Sequence, residues 1–136
     1  MNNMRNGVIL LVFGNLLLAG CRGRNDRPEL GLVTGTVTMD GTPLPHVLVS
    51  FGPTTGRAST GVTDNQGRYK LDYLFDMPGA KAGSHQVTIT TFYEDQDGPE
   101  ALNAKEQIPT KYNSKTTLTV EVKTGTNLID FDLTLK

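Results

Sequence analysis

A chain of 136 residues with a formal net charge of −1 has room for one domain of about 100 residues plus short appendages, and it lacks the basic face that a nucleic-acid binder needs to neutralise phosphates. Its 15 glycines and 7 prolines are scattered as punctuation among Val- and Thr-rich stretches, which suits many short strands and few helices. A single cysteine excludes an internal disulfide, so stability must come from packing.

The first stretch, residues 1–20, reads as an address rather than as structure. Arg5 gives a short basic start, and Val8–Leu18 is an apolar run interrupted only by Gly14 and Asn15. As a helix, those 11 residues would span about 16 Å, roughly half of a ~30 Å hydrocarbon core, which fits a signal peptide better than a transmembrane span. The run closes in Leu18-Ala19-Gly20-Cys21, where two small residues suit a signal-peptidase pocket and the Cys21 thiol is the one nucleophile nearby. These four residues resemble the bacterial lipoprotein signal, the lipobox. The resemblance implies cleavage before Cys21 and attachment of lipid, including palmitate-type acyl chains, to Cys21. Several chains, at ~0.8 kcal/mol per buried CH₂, would hold the protein firmly on a membrane. The competing readings are an ordinary secretory signal beside an unmodified cysteine, or a buried free thiol. Residue 22 is Arg rather than the Asp that signals inner-membrane retention in well-studied lipoproteins, so the resemblance favours the outer membrane. Arg22–Glu29 is polar and non-periodic and reads as a tether. The expected organisation is a signal peptide over 1–20, a lipidated cysteine and tether over 21–30, and a folded domain over 31–136.

Within that domain, Leu32–Met39 alternates, with Val33, Gly35, Val37 and Met39 on one face and Thr34, Thr36 and Thr38 on the other. Asp40-Gly41 signals a turn, and Pro43 and Pro45 keep the next residues out of a ladder. His46–Gly52 follows as a strand with Val47, Val49 and Phe51 inward. Arg57–Thr63 and Arg68–Tyr73 read as a hairpin closed at Asp64–Gly67. There Asp64 can accept a backbone N–H two residues on, and Gly67 supplies a positive φ. Phe75–Gly83 reads as a Gly- and Pro-bearing connection, and Ser84–Tyr93 as a strand with Val87 and Ile89 inward.

Glu94–Lys115 has no clear period and is longer than the usual connection between strands. Pro109 restricts Ile108 to an extended conformation, so Ile108–Asn113 is expected to lie docked along the sheet; Tyr112 is the residue most able to anchor a partner contact, the alternative being that Ile108 and Tyr112 plug one edge of the core. Glu94–Glu106 is expected to be mobile and partner-facing. Thr116–Lys123 places Leu118, Val120 and Val122 inward. After a turn at Thr124–Thr126, Asn127–Leu135 places Ile129, Phe131, Leu133 and Leu135 on one face. The count is about seven strands, each apolar on one face, which points to two antiparallel sheets packed face to face.

The series from Gly35-Thr36-Val37-Thr38-Met39-Asp40-Gly41 through Val47-Leu48-Val49-Ser50-Phe51, then Gly61-Val62-Thr63-Asp64 to Leu71, resembles the carboxypeptidase regulatory-like domain. Gly83–Ile89 fits that domain's next strand, and Ile108–Asn113 with Thr116–Val122 is similar to small lipoproteins of this group in planctomycete-type bacteria. The resemblance implies an all-β fold: a seven-stranded antiparallel Greek-key β-sandwich of the transthyretin (prealbumin) type. It implies no common reaction, because this family is a module that accompanies diverse proteins.

Candidate chemistry is sparse. His46 and His85 would need a third ligand and convergence in space to hold a metal, and no spacing of the His-x-x-x-His kind is present. Each stands near a strand start, where a partly exposed polar residue is ordinary. Transthyretin-like hydroxyisourate hydrolases end in Tyr-Arg-Gly-Ser, whereas this chain ends Asp132-Leu133-Thr134-Leu135-Lys136. Asp64–Gly67 lacks the further acids and terminal Glu of a calcium loop, and turn chemistry accounts for it. The acids of Glu94–Glu100 fit a solvated loop, with Ca²⁺ or a basic partner as the alternative. The expectation is a non-enzymatic module with no metal and no cofactor, bound to a membrane through Cys21. Its partner would be an envelope protein or polysaccharide and not a nucleic acid. The alternative is a small hydrolase on the same scaffold.

Overall fold

The computed structural model describes residues 27–136, so the expected signal peptide, the Cys21 attachment site and most of the tether lie outside the described residues. The fold is all-β, built as two sheets around one core. The first sheet is organised on β1 (Leu30–Met39). Along one edge of β1 run three short antiparallel partners: β2 (Thr42–Pro43), β5 (Arg68–Lys70) and β8 (Ala80–Lys81). Along the other edge run β11 (Gly125–Leu128) and β12 (Phe131–Leu133), both parallel to β1. The second sheet is antiparallel throughout, in the order β10 (Thr119–Val122), β9 (Gly83–Thr91), β3 (Val47–Pro53), β4 (Ser59–Val62), β6 (Asp72–Leu74) and β7 (Met77–Pro78).

The expected set of seven antiparallel strands is corrected in two respects. The ladder is divided into twelve shorter segments, because turns and strand breaks interrupt the apolar runs. The pairing of β1 with β11 and β12 is parallel, because the chain reaches them by crossing from β10 in the other sheet and not through a hairpin.

The inward faces follow the alternation closely. Val33 and Val37 from β1, Val47, Val49 and Phe51 from β3, and Val87 and Ile89 from β9 are all buried. Phe51 and Phe131 meet between the sheets edge to face, with centroids 6.1 Å apart and planes at 81°, a favoured aromatic geometry. Tyr69 flanks Phe131 at 6.1 Å. Leu135 departs from the alternation and is 61% exposed, because the chain leaves the sheet after Leu133.

The turn at Asp64–Gly67 forms as its residues dictate. The Asp64 carboxylate accepts the N–H groups of Gln66 (2.8 Å) and Arg68 (3.0 Å), and Gly67 has φ +74°. The strands it joins do not pair with each other. β4 pairs with β3 and β6 in one sheet, while β5 pairs with β1 in the other, so the expected hairpin opens into an arch between the layers at β5 and keeps only the antiparallel pair Thr60–Asp72 where the chain returns. Gly61 permits the crossing: a Cβ there would overlap the Lys70 carbonyl. The connection Phe75–Gly83 contains its own hairpin, β6–β7, and then β8.

A second close approach interrupts the final strand. Ile129 donates its N–H to the Thr34 carbonyl (2.9 Å), and its own carbonyl then turns over Gly35, where a Cβ would overlap it. The Tyr69 hydroxyl donates to that carbonyl (2.6 Å), and Asp130 Oδ1 accepts the Thr36 N–H (2.8 Å) in place of a ladder bond. Burial and the nearby Asp130 carboxylate push the Tyr69 hydroxyl far above the ordinary tyrosine pKa, so it stays a donor.

Candidate functional site

The registers define two ends of the domain. At one end lie Leu30, which opens β1, and Lys81, which pairs with it. The Lys81 ammonium also donates to the Thr55 carbonyl (3.1 Å), which brings the β3–β4 loop to the same end. At the other end Asp40 donates to the Leu133 carbonyl, and Phe92 donates to the His46 carbonyl (3.0 Å). The long segment after β9 therefore departs from the end opposite Leu30.

That segment is partly ordered by its own polar groups. Helix α1 (Pro99–Asn103) is a single turn with Pro at its start, where a missing N–H has no consequence. Glu106 ties the far root of the loop to β9: its carboxylate accepts the Thr91 N–H (3.1 Å), the Thr91 hydroxyl (2.6 Å) and the Ile108 N–H (3.0 Å). Ile108 is buried in the core. The Asn113 amide donates to the carbonyls of Ile89 (3.3 Å), Ile108 (3.2 Å) and Pro109 (3.2 Å), holding the 3₁₀ turn Thr110–Tyr112 against β9. The Tyr112 hydroxyl accepts the Thr134 N–H (2.9 Å). Burial raises the Tyr112 pKa, but the Thr134 hydrogen bonds and the Lys111 ammonium outweigh it and leave the hydroxyl below its ordinary value. The docking expected for Ile108–Asn113 is thus present, and Tyr112 follows the alternative reading: it packs against the edge of the core, with its hydroxyl engaged by Thr134.

Between Phe92 and Glu100 lies an open cavity of about 520 Å³. Phe92 and Tyr93 supply its rings, Glu94, Asp95 and Glu100 its carboxylates, and Pro99 part of its wall. Asp95 is partly engaged in shaping the loop, accepting the Asp97 N–H (3.2 Å). A lining of aromatic rings and carboxylates suits a hydroxylated or cationic ligand, through stacking and hydrogen bonding. It contains no histidine, serine, threonine or cysteine, so it holds no Ser–His or Cys–His pair.

The two histidines are separated by the β3–β9 ladder. His46 precedes Val47, which pairs with Thr91, whereas His85 pairs with Pro53, so about 20 Å of strand at ~3.3 Å per residue lies between them. His46 is exposed, with φ +54° at the entry to β3. The expectation of a partly exposed His85 is corrected: it is 1% exposed, with its ring 5.7 Å from Phe51. Its Nε2 lies 2.5 Å from the Lys81 carbonyl, so that nitrogen carries the proton, and Nδ1 has no partner. The signal was available in the sequence, since His85 shares the parity of Val87 and Ile89. The Asp64 carboxylate is occupied by its own turn. The backbone N–H of Arg68, then that of Gln66, hold its pKa below the ordinary carboxylate value. Among the described residues, no group of three or more His, Cys, Asp or Glu side chains is placed to hold a metal ion, and no helix is long and apolar enough to cross a membrane.

No family model matches the chain, and no curated protein matches it. Among solved structures it is similar to a DUF3823 family protein from Parabacteroides merdae, with 17% identity and a TM-score of 0.39. The match covers 77% of this chain and 46% of that one, so this chain spans less than half the length of the protein it matches.

Proposed function

We propose that this protein is a non-catalytic, lipid-anchored module of the bacterial cell envelope, held on the outer membrane through Cys21 and presenting its far end to an envelope protein or polysaccharide. The observation that carries this reading is Leu18-Ala19-Gly20-Cys21: the chain's single cysteine stands where a lipobox requires it, behind an apolar run too short to span a membrane. The geometry of the domain supports it. The tether enters at Leu30, and the aromatic and acidic cavity of Phe92–Glu100 opens at the opposite end, where a partner would meet it unobstructed by the membrane. Phe92 and Tyr93 beside three carboxylates fit sugar rings, whose faces stack on aromatics and whose hydroxyls donate to carboxylates.

The finer fold reading is a transthyretin-like Greek-key β-sandwich of the carboxypeptidase regulatory-like kind. Its support is the run Gly35–Phe51 with Gly61–Leu71 and the two-sheet core that these residues help to fill. A hydrolase on this scaffold is disfavoured by the separation of His46 from His85 and by the burial of the latter. Fractionation tests the anchoring. Cys21→Ser should move the protein to the soluble envelope fraction and leave the precursor unprocessed; a variant that stays with membranes as before would overturn the proposal. Pull-down from crosslinked envelopes of the native host, with wild type and with Tyr93→Ala, identifies the partner and tests the far end as its site.

A further inference from the structure

The tip of the β6–β7 hairpin offers an apolar contact that the fold does not use. Leu74 pairs with Met77, so Phe75 and Asp76 form the connecting loop. Short hairpin loops favour Gly, Asn and Asp, whose backbones bend readily. Phe75 stands there instead and is 99% exposed, with Leu74 beside it 38% exposed. A bare aromatic ring at a turn position contributes nothing to the core and contradicts local turn chemistry, and such violations mark functional positions.

Its place in the fold indicates what it meets. Leu71 donates to the Val33 carbonyl and Gly79 donates to the Leu71 carbonyl, so the hairpin is an excursion that leaves β1 near Val33 and returns at Gly31. Thr60 pairs with Asp72, and the antiparallel direction carries Leu74 and Phe75 beyond Ala58 towards Arg57, beside the β3–β4 loop. That loop is bound to Lys81, the partner of Leu30. Phe75 is therefore at the end of the domain where the tether enters. Nine Cα–Cα steps separate Cys21 from Leu30, a reach of at most about 30 Å when fully extended. A lipid on Cys21 would thus keep this end, and not the Phe92–Glu100 end, close to the bilayer.

We propose that Phe75, with Leu74, inserts into the interfacial region of the membrane that holds Cys21, making a second and orienting contact that turns the Phe92–Glu100 cavity away from the lipid. This inference rests on the anchoring proposed above. Phe and Leu side chains suit shallow insertion at the headgroup–acyl boundary, and the contact would orient a protein that its lipid already holds.

The chain contains no tryptophan, so Phe75→Trp gives a single fluorescent reporter at the hairpin tip. The full lipidated protein, extracted from membranes, is reconstituted in phosphatidylethanolamine–phosphatidylglycerol vesicles with plain or dibrominated acyl chains. A separate variant, Leu102→Trp, carries its reporter at an exposed site on α1. Insertion to roughly 5–10 Å should quench the tip reporter by about half or more in brominated vesicles and leave the α1 reporter near its plain-vesicle intensity. If the protein carries its lipid and floats with vesicles but the tip reporter is not quenched, the insertion is wrong and the anchor stands. Equal quenching of the two reporters overturns the orientation. A tip reporter shielded without bromine quenching, in a protein that crosslinks as a dimer, assigns the tip to a second copy and overturns the proposal. Failure to float, with an unmodified Cys21 by mass spectrometry, removes both the anchor and the inference built on it.

Discussion

Truncating Phe131 to alanine tests the two-sheet core where rings from both sheets meet. Phe131 comes from the strand that pairs in parallel with β1, is 7% exposed, and packs edge to face on Phe51 from the opposite sheet and against Tyr69 from its own. Removing a buried ring from such a site costs ~3–5 kcal/mol, and loss of the aromatic pair accounts for about 0.5–1.5 kcal/mol beyond the area term. Against a total of roughly 5–15 kcal/mol for a domain, that is a large share of the stability. Urea unfolding followed by far-ultraviolet circular dichroism is the assay. With m of ~1–3 kcal/mol/M, the midpoint should fall by roughly 2 M at unchanged m. Leu135→Ala is the matched comparison: strand alternation puts Leu135 on the same face as Phe131, yet it is 61% exposed and should shift the midpoint little. Equal shifts for the two variants would refute the placement of the final strand.

Gly35→Ala should be worse than its single methyl implies, because the Cβ would displace the Ile129 carbonyl from both Gly35 and the Tyr69 hydroxyl; a melting temperature within a few degrees of wild type would count against that close approach. Asp64 has its pKa lowered from 3.8 by the Arg68 and Gln66 amides, so its contribution is complete above that value and is lost as pH falls through the lower native value. Asp64→Asn should therefore melt below wild type at pH 7, with the gap closing as the pH falls below 3.8; a gap constant with pH would exclude the carboxylate as its cause. Glu106→Ala should speed amide exchange at Thr91 and Ile108 by about 10- to 100-fold, the equivalent of ~1.5–3 kcal/mol for bonds to a charged acceptor, with the amide of Val49 unchanged. Exchange at Thr91 and Ile108 as slow as in wild type would show that the loop is held by other contacts.

Alternation made the inward residues of β1, β3 and β9 legible, because a half-buried strand writes its two faces into the order of residues. Parity with Val87 and Ile89 points His85 inward too, against the polar character of imidazole, and the ring is buried. The turn at Asp64–Gly67 was legible because Asx chemistry and a positive φ are local. The destinations of β4 and β5 were not, since their partners are β3, β6 and β1, chosen by packing over long separations. For the same reason the Gly125–Leu128 segment read as a turn running into one continuous strand, although it pairs with Gly31–Thr34. In the long loop, Pro109 and Tyr112 announced the docked portion, whereas the binding of Glu106 to Thr91 joins residues 15 apart and left no trace in the pattern. The cavity at Phe92–Glu100 was only half visible: its acids were legible as a cluster, but the rings of Phe92 and Tyr93 join them only when β9 ends at Thr91.

The most direct test of the central claim is the mass of the amino-terminal peptide of the protein extracted from its host's membranes. The mature chain should begin at Cys21, with diacylglyceryl on sulfur and palmitate-type acyl chains that hydroxylamine or base releases in part. An amino-terminal peptide that begins elsewhere, or a Cys21 thiol that is free to react with maleimide, would contradict it.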